Sequence, residues 1–234
     1  MKIRWWDVVP VTLAAVAVAS CGGTAESMTA EDIVARCAEA MGGDLGIQNL
    51  RTLRFELSSP EREPTLWEIE RPNLVRKERT GEMALVFDGS RVAYVVAPPN
   101  EDGSPAEPHL VDEAHWHHFE MDIALYVPAF FEYPATYVDT ATVRGSPAHL
   151  LRVDLPMGGV VVYAVDAERF LPTRISLPDW GYDVYLGDYG AVEGFMYFHK
   201  VWSNPDGTDE TVLESLELNP NLDAGRFEIP ASIR

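Results

Sequence analysis

The residues with the clearest potential for chemistry lie between His109 and Asp122, where four of the six histidines alternate with carboxylates. On a helix, His115, His118 and Asp122 would occupy positions i, i+3 and i+7, close to one face, and these side chains are ligands for divalent metals. The segment has no His-Glu-x-x-His pattern, and grouped histidines are equally typical of a solvated helix face. We therefore predict no metal and no cofactor, and retain metal binding by this cluster as an alternative.

The rest of the sequence gives little sign of catalysis. It contains no nucleophile elbow, phosphate-binding loop, dinucleotide fingerprint or zinc-ligand spacing. Acidic residues are numerous, so two carboxylates could meet in space without any trace in the sequence. Because no pair is indicated by its spacing, we predict that the protein is not an enzyme and assign no catalytic residue.

A cation stands on the apolar side of a predicted strand. Side chains alternate between the two faces of a strand, so Trp67, Ile69 and Arg71 share one face, while Glu68 and Glu70 share the other. An isolated charge is costly to bury, so Arg71 must be paired, hydrogen-bonded or hydrated. Its position also allows the simpler interpretation of an arginine that extends to water from the end of a strand.

The N-terminus has the pattern of an export signal. Lys2 and Arg4 precede an apolar run, residues 8–20, that is too short to span a bilayer. The run ends in Ala19 and Ser20, directly before Cys21. This pattern resembles the lipobox of bacterial lipoproteins, and the resemblance implies that Cys21 becomes the first residue and is acylated. The alternative is ordinary signal cleavage near Ser20, which would leave Cys21 as a free thiol.

These features divide the chain into a lipoprotein signal peptide (1–20), a short tether (21–28) and a single domain (29–234). Stable anchoring requires more than one acyl chain, and the lipoprotein resemblance implies that number. Gly22 replaces the aspartate that retains many lipoproteins at the inner membrane. The expected location is therefore the outer membrane, facing the periplasm, with the protein as a monomer.

The charge of the chain limits its partners. The sequence has 18 basic and 37 acidic residues, and removal of Lys2, Arg4 and Asp7 with the signal peptide leaves 16 and 36. Nucleic acid is excluded as a partner, because phosphate binding depends on clustered lysine and arginine. Only two cysteines are present, so acylation of Cys21 leaves Cys37 unpaired, as a small core residue of the first predicted helix.

The periodicity predicts two helices and many strands. Thr29 precedes apolar residues at helical spacing, and Gly42 follows them, so a helix is expected over residues 30–42. A second helix is expected from Val111 to about Tyr126. From Leu50 the period changes to two, and turn residues then recur at short intervals. The fold class is mainly β (α+β), an open, strongly curved antiparallel sheet of about eleven strands.

Three stretches resemble one protein family. Residues 67–74 read WEIERPNL, residues 86–94 read VFDGSRVAY, and residues 222–230 read LDAGRFEIP. In this order and spacing they are similar to the outer-membrane lipoprotein carriers LolA and LolB. The resemblance covers nearly all of the chain after Met28. It departs from LolA in the predicted lipid anchor, which LolB shares, and from both in the greater length and acidity of this chain.

The resemblance implies a half-barrel whose helices form a lid over an apolar cavity for acyl chains. It implies a partner, either lipid or an acylated lipoprotein, and a contact between Arg71 and the lid that acts as a gate. Strand parity then selects the residues that face the cavity, which are Trp67, Ile69, Leu85, Phe87, Tyr94 and Val96. The predicted function is envelope lipid or lipoprotein sorting or transport.

Two alternatives from other classes remain open. The same fold could serve as an envelope interaction or regulatory module that binds a protein and transfers no lipid. The histidine segment could instead make the chain a metal-binding envelope protein. Fold alone does not choose between them, because function depends on sites.

Overall fold

The first helix begins at a capping box. The computed structural model describes residues 28–43, 46, 49–60, 62–79 and 81–233. Helix α1 (Ala30–Ala40) starts after Thr29, whose Oγ1 accepts a hydrogen bond from the Asp32 backbone at 3.2 Å. Ile33 and Cys37 lie four residues apart and are fully buried, as their helical spacing predicts. The expected helix is confirmed and ends two residues earlier than predicted.

Thirteen strands follow. They are β1 (Thr52–Ser59), β2 (Arg62–Glu70), β3 (Leu74–Arg79), β4 (Met83–Phe87), β5 (Val92–Val96), β6 (His109–Leu110), β7 (Ala135–Val143), β8 (Ser146–Asp154), β9 (Val160–Asp166), β10 (Pro172–Leu177), β11 (Tyr182–Val192), β12 (Phe195–Trp202) and β13 (Glu210–Leu218). The predicted number of about eleven is too low, because a two-residue strand such as β6 leaves no alternation to detect.

All thirteen strands belong to one antiparallel sheet, in the order β6-β5-β4-β3-β2-β1-β13-β12-β11-β10-β9-β8-β7. Strand β1 joins the two halves, since Phe55 lies opposite both Trp67 of β2 and Leu216 of β13. Strands β6 and β7 are the two edges and do not pair with each other, so the sheet remains open. The prediction of an open, curved, mainly antiparallel sheet is confirmed.

Helix α2 (Trp116–Tyr126) connects the two edges of the sheet. It follows a short 3-10 turn, Glu113–His115, and its position confirms the second predicted helix. The chain leaves β6 at one edge, passes through α2 and enters β7 at the other edge. Neither helix has the length and hydropathy that a membrane span requires in the part of the chain that is described.

The two faces of the sheet are covered by different parts of the chain. On the helix face, the main core packs strand residues such as Leu85 and Phe87 with residues of α1 and α2. The neighbouring Val86 points the other way and packs with Ala93, Ile229 and Ile233 of the C-terminal segment. The sheet is thus covered by helices on one face and by the C-terminal segment on the other.

Buried tyrosines hold α2 to the sheet. The Tyr163 hydroxyl on β9 donates to the Ala124 carbonyl and accepts from the Ala129 backbone N–H, both at 2.8 Å. The Tyr197 hydroxyl on β12 donates to the Tyr126 carbonyl at 2.8 Å. The last carbonyls of a helix have no partner within it, so these hydroxyls satisfy groups that would otherwise be buried unpaired.

Candidate functional site

A cleft opens between α1 and the connector, which we define as residues 127–134 between α2 and β7. Its volume is about 370 Å³. The lining comprises Ala30, Glu31, Val34, Ala35, Ala38, Arg71, Phe130, Phe131, Tyr133, Pro134 and Ala135. Most of these side chains are apolar, and the two charged groups, Glu31 and Arg71, have opposite signs.

The small residues of α1 leave the room for this cleft. Ala30, Val34 and Ala38 recur every four residues, on a face next to the one that buries Ile33 and Cys37. A large side chain at Ala35 or Ala38 would fill the space that these alanines leave. The helix therefore contributes one face to the core and a second, shallower face to the cleft.

The opposite wall is aromatic and fixed in place. Phe130 is buried and meets Phe131 edge-on at 4.6 Å between ring centroids, and it meets Tyr163 in the same manner at 4.8 Å. Edge-to-face pairs at this separation are favourable. Tyr163 also bonds the backbone of Ala129, so the sheet sets the position of this wall.

Arg71 joins the end of β2 to the connector at the base of the cleft. Its Nη1 donates to the Leu50 carbonyl at 2.7 Å, and its guanidinium forms an ion pair with Glu132. Only 11% of the Arg71 side chain is exposed. The cation that strand parity placed on the apolar side is therefore paired and hydrogen-bonded, as the cost of burial requires. Its action as a gate stays a prediction.

The cleft narrows to a small cavity beneath α2. This cavity shares Arg71 and Tyr133 with the cleft, is bounded by Ile123 and Val127, and has a volume of about 20 Å³. That is room for one water molecule and not for a hydrocarbon chain. Nearby, the Glu120 carboxylate accepts from the Met157 backbone N–H at 2.9 Å, and burial raises the pKa of this carboxyl.

Most of the residues predicted to face a cavity lie in the packed core. Trp67, Ile69, Leu85 and Phe87 are all buried, and Tyr94 is partly buried against the same core. Trp67 reaches an opening, at the Ser59 end of the sheet, where it lines a pocket with Tyr126. None of these predicted residues lines the cleft beside α1, and their contact with a ligand stays a prediction.

The predicted inward position of Val96 is wrong. A register shift between β4 and β5 pairs Tyr94 with Leu85 but Val96 with Ala84. Leu85 and Ala84 point to different faces of β4, so their partners Tyr94 and Val96 also lie on different faces of the sheet. Val96 is 49% exposed. The strand alternation that places Tyr94 correctly does not continue past the irregularity.

The histidines at the start of α2, His115, His117 and His118, contact one another and Trp180 through their rings and form no metal site. The rings of His115 and His118 lie 5.4 Å apart, and His118 meets Trp180 edge-on at 4.8 Å. Burial and the neighbouring charges of His117 and His115 lower the pKa of His118. Asp122 is half-buried. Within the described ranges, no three histidine, cysteine or acidic side chains are arranged to hold a metal ion.

The predicted lipid-attachment residue Cys21 and signal peptide 1–20 lie outside the described residues, as does the tether up to residue 27. The described chain starts at the rim of the cleft, since Ala30 is among the lining residues.

Sequence reasoning did not identify the residues that form the cleft. The sequence pattern places Val34 and Ala38 within the predicted helix over residues 30–42 and gives no role to Phe130 and Phe131. The sequence feature that could have indicated the cleft is the pair of aromatic residues between Pro128 and Pro134. Adjacent aromatic residues in a connection between a helix and a strand must be covered by other parts of the protein or by a ligand.

Comparison with known proteins supports the fold. Neither a protein-family model nor a curated protein sequence matches the chain. A LolA superfamily protein from Nitrosomonas europaea is similar in structure, with a TM-score of 0.52, 11% identity, and coverage of 86% of this chain and 98% of that protein. The chain has a LolA-like fold. The family resemblance in the sequence is thus confirmed at the level of the fold.

Two further solved structures match less closely. An outer-membrane lipoprotein-sorting protein domain from Vibrio parahaemolyticus gives a TM-score of 0.36 at 10% identity, over 76% of this chain and 88% of that one. The MucA/MucB complex of Pseudomonas aeruginosa gives 0.24 at 15% identity, over 86% of this chain and 60% of the matched one. At these scores neither adds to the argument.

Proposed function

We propose that this protein is a membrane-anchored periplasmic lipoprotein that binds lipid, or the acyl chains of another lipoprotein, in the cleft between α1 and the connector. The observation that carries the proposal is the cleft itself. Its volume of about 370 Å³ lies in the usual range of ligand pockets, and its walls are mainly apolar. The LolA-like fold supports a role in envelope lipid or lipoprotein sorting or transport.

Arg71 is proposed as the gate of this cleft. Its ion pair with Glu132 ties the connector to the end of β2, and its bond to the Leu50 carbonyl fixes the guanidinium from the other side. An acyl chain that enters more deeply than the cleft must displace α2 or the connector, since the cavity beyond the cleft has a volume of only about 20 Å³. Loss of the ion pair would release the Glu132 end of the connector, while the Tyr163 hydroxyl still holds the Ala129 end.

The proposed anchor would hold the cleft close to the membrane. Acylation of Cys21 leaves eight residue steps before Thr29, which precedes the first turn of α1. At about 3.5 Å per extended residue, the tether reaches at most about 30 Å. Because Ala30 lines the cleft, the opening would stay within that distance of the bilayer surface. Gly22 favours the outer membrane as this bilayer.

Native mass spectrometry of the Cys21→Ala protein tests the proposal. This variant should be released from the membrane in soluble form, and lipid or acylated species should remain bound when no detergent is present. Ala35→Trp fills the cleft and should remove most of the bound species. Glu39→Trp is the matched control, because Glu39 is exposed on the same helix and lies outside the cleft lining.

Each result has a defined meaning. Bound acyl species that disappear in Ala35→Trp and persist in Glu39→Trp support the cleft. A consistently empty Cys21→Ala protein contradicts lipid binding. Purification with a protein partner and without lipid would instead support the interaction or regulatory module. No catalytic residue and no cofactor enter the proposal.

A further inference from the structure

A second pocket lies at the other end of the sheet and has a different chemistry. It has a volume of about 140 Å³ and lies where β1, β2, β3 and β13 meet the end of α2. We call it the Lys77 pocket. Lys77 and Arg79 are alternate residues of β3, so both face the same side of the sheet. Trp67 and Tyr126 form its apolar floor.

Both cations have unused hydrogen-bonding capacity. The Lys77 ammonium lies 4.5 Å from the centre of the Trp67 ring and makes no hydrogen bond or ion pair with the described residues. Arg79 donates from Nη1 to Glu82 at 3.0 Å, while its Nε–H is buried and has no partner in the described part of the chain. The guanidinium carries five N–H groups and the Arg79 side chain is 25% exposed, so Arg79 keeps donors for a ligand in addition to its bond with Glu82.

Neutral donors complete the lining. Hydroxyl groups of Ser59, Thr65 and Thr211 come from three different strands. Hydroxyl, ammonium and guanidinium groups around one space suit an acceptor with several oxygens, and arginine and lysine are the usual partners of phosphate. The volume equals that of roughly four or five water molecules, which is enough for a phosphate group.

We propose that the Lys77 pocket binds a phosphate-bearing headgroup. The phosphate oxygens accept from the Lys77 ammonium and from the guanidinium of Arg79, whose side chain is 25% exposed. A neighbouring groove of about 500 Å³ shares Ser59 and Thr211 with the pocket and gives room for the rest of the ligand. This site lies apart from the cleft beside α1, which shares no lining residue with it.

The negative groups around the pocket narrow the ligand class. Glu82 is already bonded to Arg79, and Asp122 is close enough for the Lys77 charge to act on its carboxyl. Glu63 lies exposed at the rim and can accept from an ammonium group. A headgroup that carries both a phosphate and an ammonium therefore fits this strongly acidic chain better than a purely anionic one.

Calorimetric titration of the Cys21→Ala protein tests the site. The probes are phosphoethanolamine and dihexanoyl phosphatidylethanolamine, with ethanolamine and hexanoate as comparison ligands. Both phosphate probes should bind, and Lys77→Gln or Arg79→Gln should weaken binding by about tenfold or more. Arg152→Gln removes the same charge from an exposed ion pair on β8 and should leave binding unchanged.

Two further variants separate binding from folding. Lys77→Met keeps an apolar stem over Trp67, and Arg79→Lys keeps the charge but removes the Nε–H; each should still weaken binding while the circular dichroism spectrum stays unchanged. Ala35→Trp blocks the proposed acyl cleft and should leave phosphate binding intact, so failure of either site can be recognised separately.

The outcomes decide the proposal. Binding of phosphoethanolamine alone supports a free phosphomonoester as the source of the phosphate, and tighter binding of the phospholipid supports a lipid headgroup. The proposal is overturned if neither phosphate probe binds, if ethanolamine or hexanoate binds as tightly, or if binding is unaffected by the Lys77 and Arg79 variants.

Discussion

The two covers of the sheet are built from different interactions. On the helix face, α2 is held by neutral hydrogen bonds from Tyr163 and Tyr197, and space remains at both ends of the sheet. On the opposite face, the C-terminal segment is held by charge in addition to the packing of Ile229 and Ile233, because the Glu68 carboxylate lies between Arg54 and Arg226. The charged cover is therefore suited to permanent closure, whereas the neutral cover leaves openings for a ligand.

The largest effect is expected from the charged cover. Glu68 is 1% exposed and accepts from Arg54 Nη2 at 2.8 Å and from Arg226. Glu68→Gln removes the charge that two arginines share, so the free energy of unfolding should fall by about 3 kcal/mol. Urea denaturation measures this change. Glu217→Gln removes the exposed partner of Arg54 and should cost less than about 0.5 kcal/mol. Equal losses in the two variants would remove the proposed difference between the covers.

The next effect concerns the neutral cover. Tyr163→Phe leaves the Ala124 carbonyl and the Ala129 N–H without their partner, which should lower the free energy of unfolding by about 2 kcal/mol. Hydrogen exchange should also become faster in α2. Tyr185→Phe is the control, since its hydroxyl makes no hydrogen bond with the described residues. Unchanged exchange in α2 of Tyr163→Phe would show that packing alone holds this cover.

A smaller effect is expected at the connector. Glu132→Gln weakens the ion pair with Arg71, whose partners also include the Leu50 carbonyl. Since Glu132 is partly exposed, the loss in stability should be about 1 kcal/mol. Hydrogen exchange should increase in residues 128–135 and remain unchanged in the C-terminal segment. An increase in both regions would contradict a local gate.

The smallest effect is a dependence on pH at the start of α2. Burial, followed by the charges of His117 and His115, lowers the pKa of His118 from its ordinary 6.5. A histidine with a lowered pKa binds fewer protons in the folded protein than in the unfolded protein. Its contribution to stability is therefore complete above the unfolded pKa of 6.5 and is lost as the pH falls from 6.5 through the lowered pKa of the folded protein. Burial raises the pKa of Glu120 and Asp122, which acts in the opposite direction.

The wild type and His118→Asn must therefore be compared. Between about pH 7.5 and pH 5, the exchange protection of α2 should fall more in the wild type than in His118→Asn. His109→Asn, in the same segment but on the edge strand β6, should behave like the wild type. The same loss of protection in wild type and His118→Asn would exclude His118 as the pH-sensitive group.

The fold was predictable from the sequence because it rests on local patterns. Thr29 and Asp32 identify the start of α1, and the alternation through Phe55, Trp67 and Ile69 identifies strands with one core face. The turn residues that recur at short intervals then favour an antiparallel sheet. The strand number and the position of Val96 were wrong, since a two-residue strand and a register shift leave no periodic signal.

The candidate site was less predictable, because it depends on where distant segments meet. Arg71 was recognised by its position on an apolar strand face, but its partner Glu132 is 61 residues away. The alanines of α1 resemble ordinary helix residues, and only the approach of Phe130 and Phe131 makes them the wall of a cleft. Parity shows which face a side chain takes, but it does not distinguish a packed core from a ligand cavity.

Hydrogen exchange of the Cys21→Ala protein, measured with and without dodecanoate, tests acyl-chain binding in the cleft most directly. We expect dodecanoate to slow exchange in residues 30–38 and 128–135, which form the cleft, and to leave exchange in the C-terminal segment unchanged. Unchanged exchange in both cleft segments, or a change confined to the C-terminal segment, would contradict it.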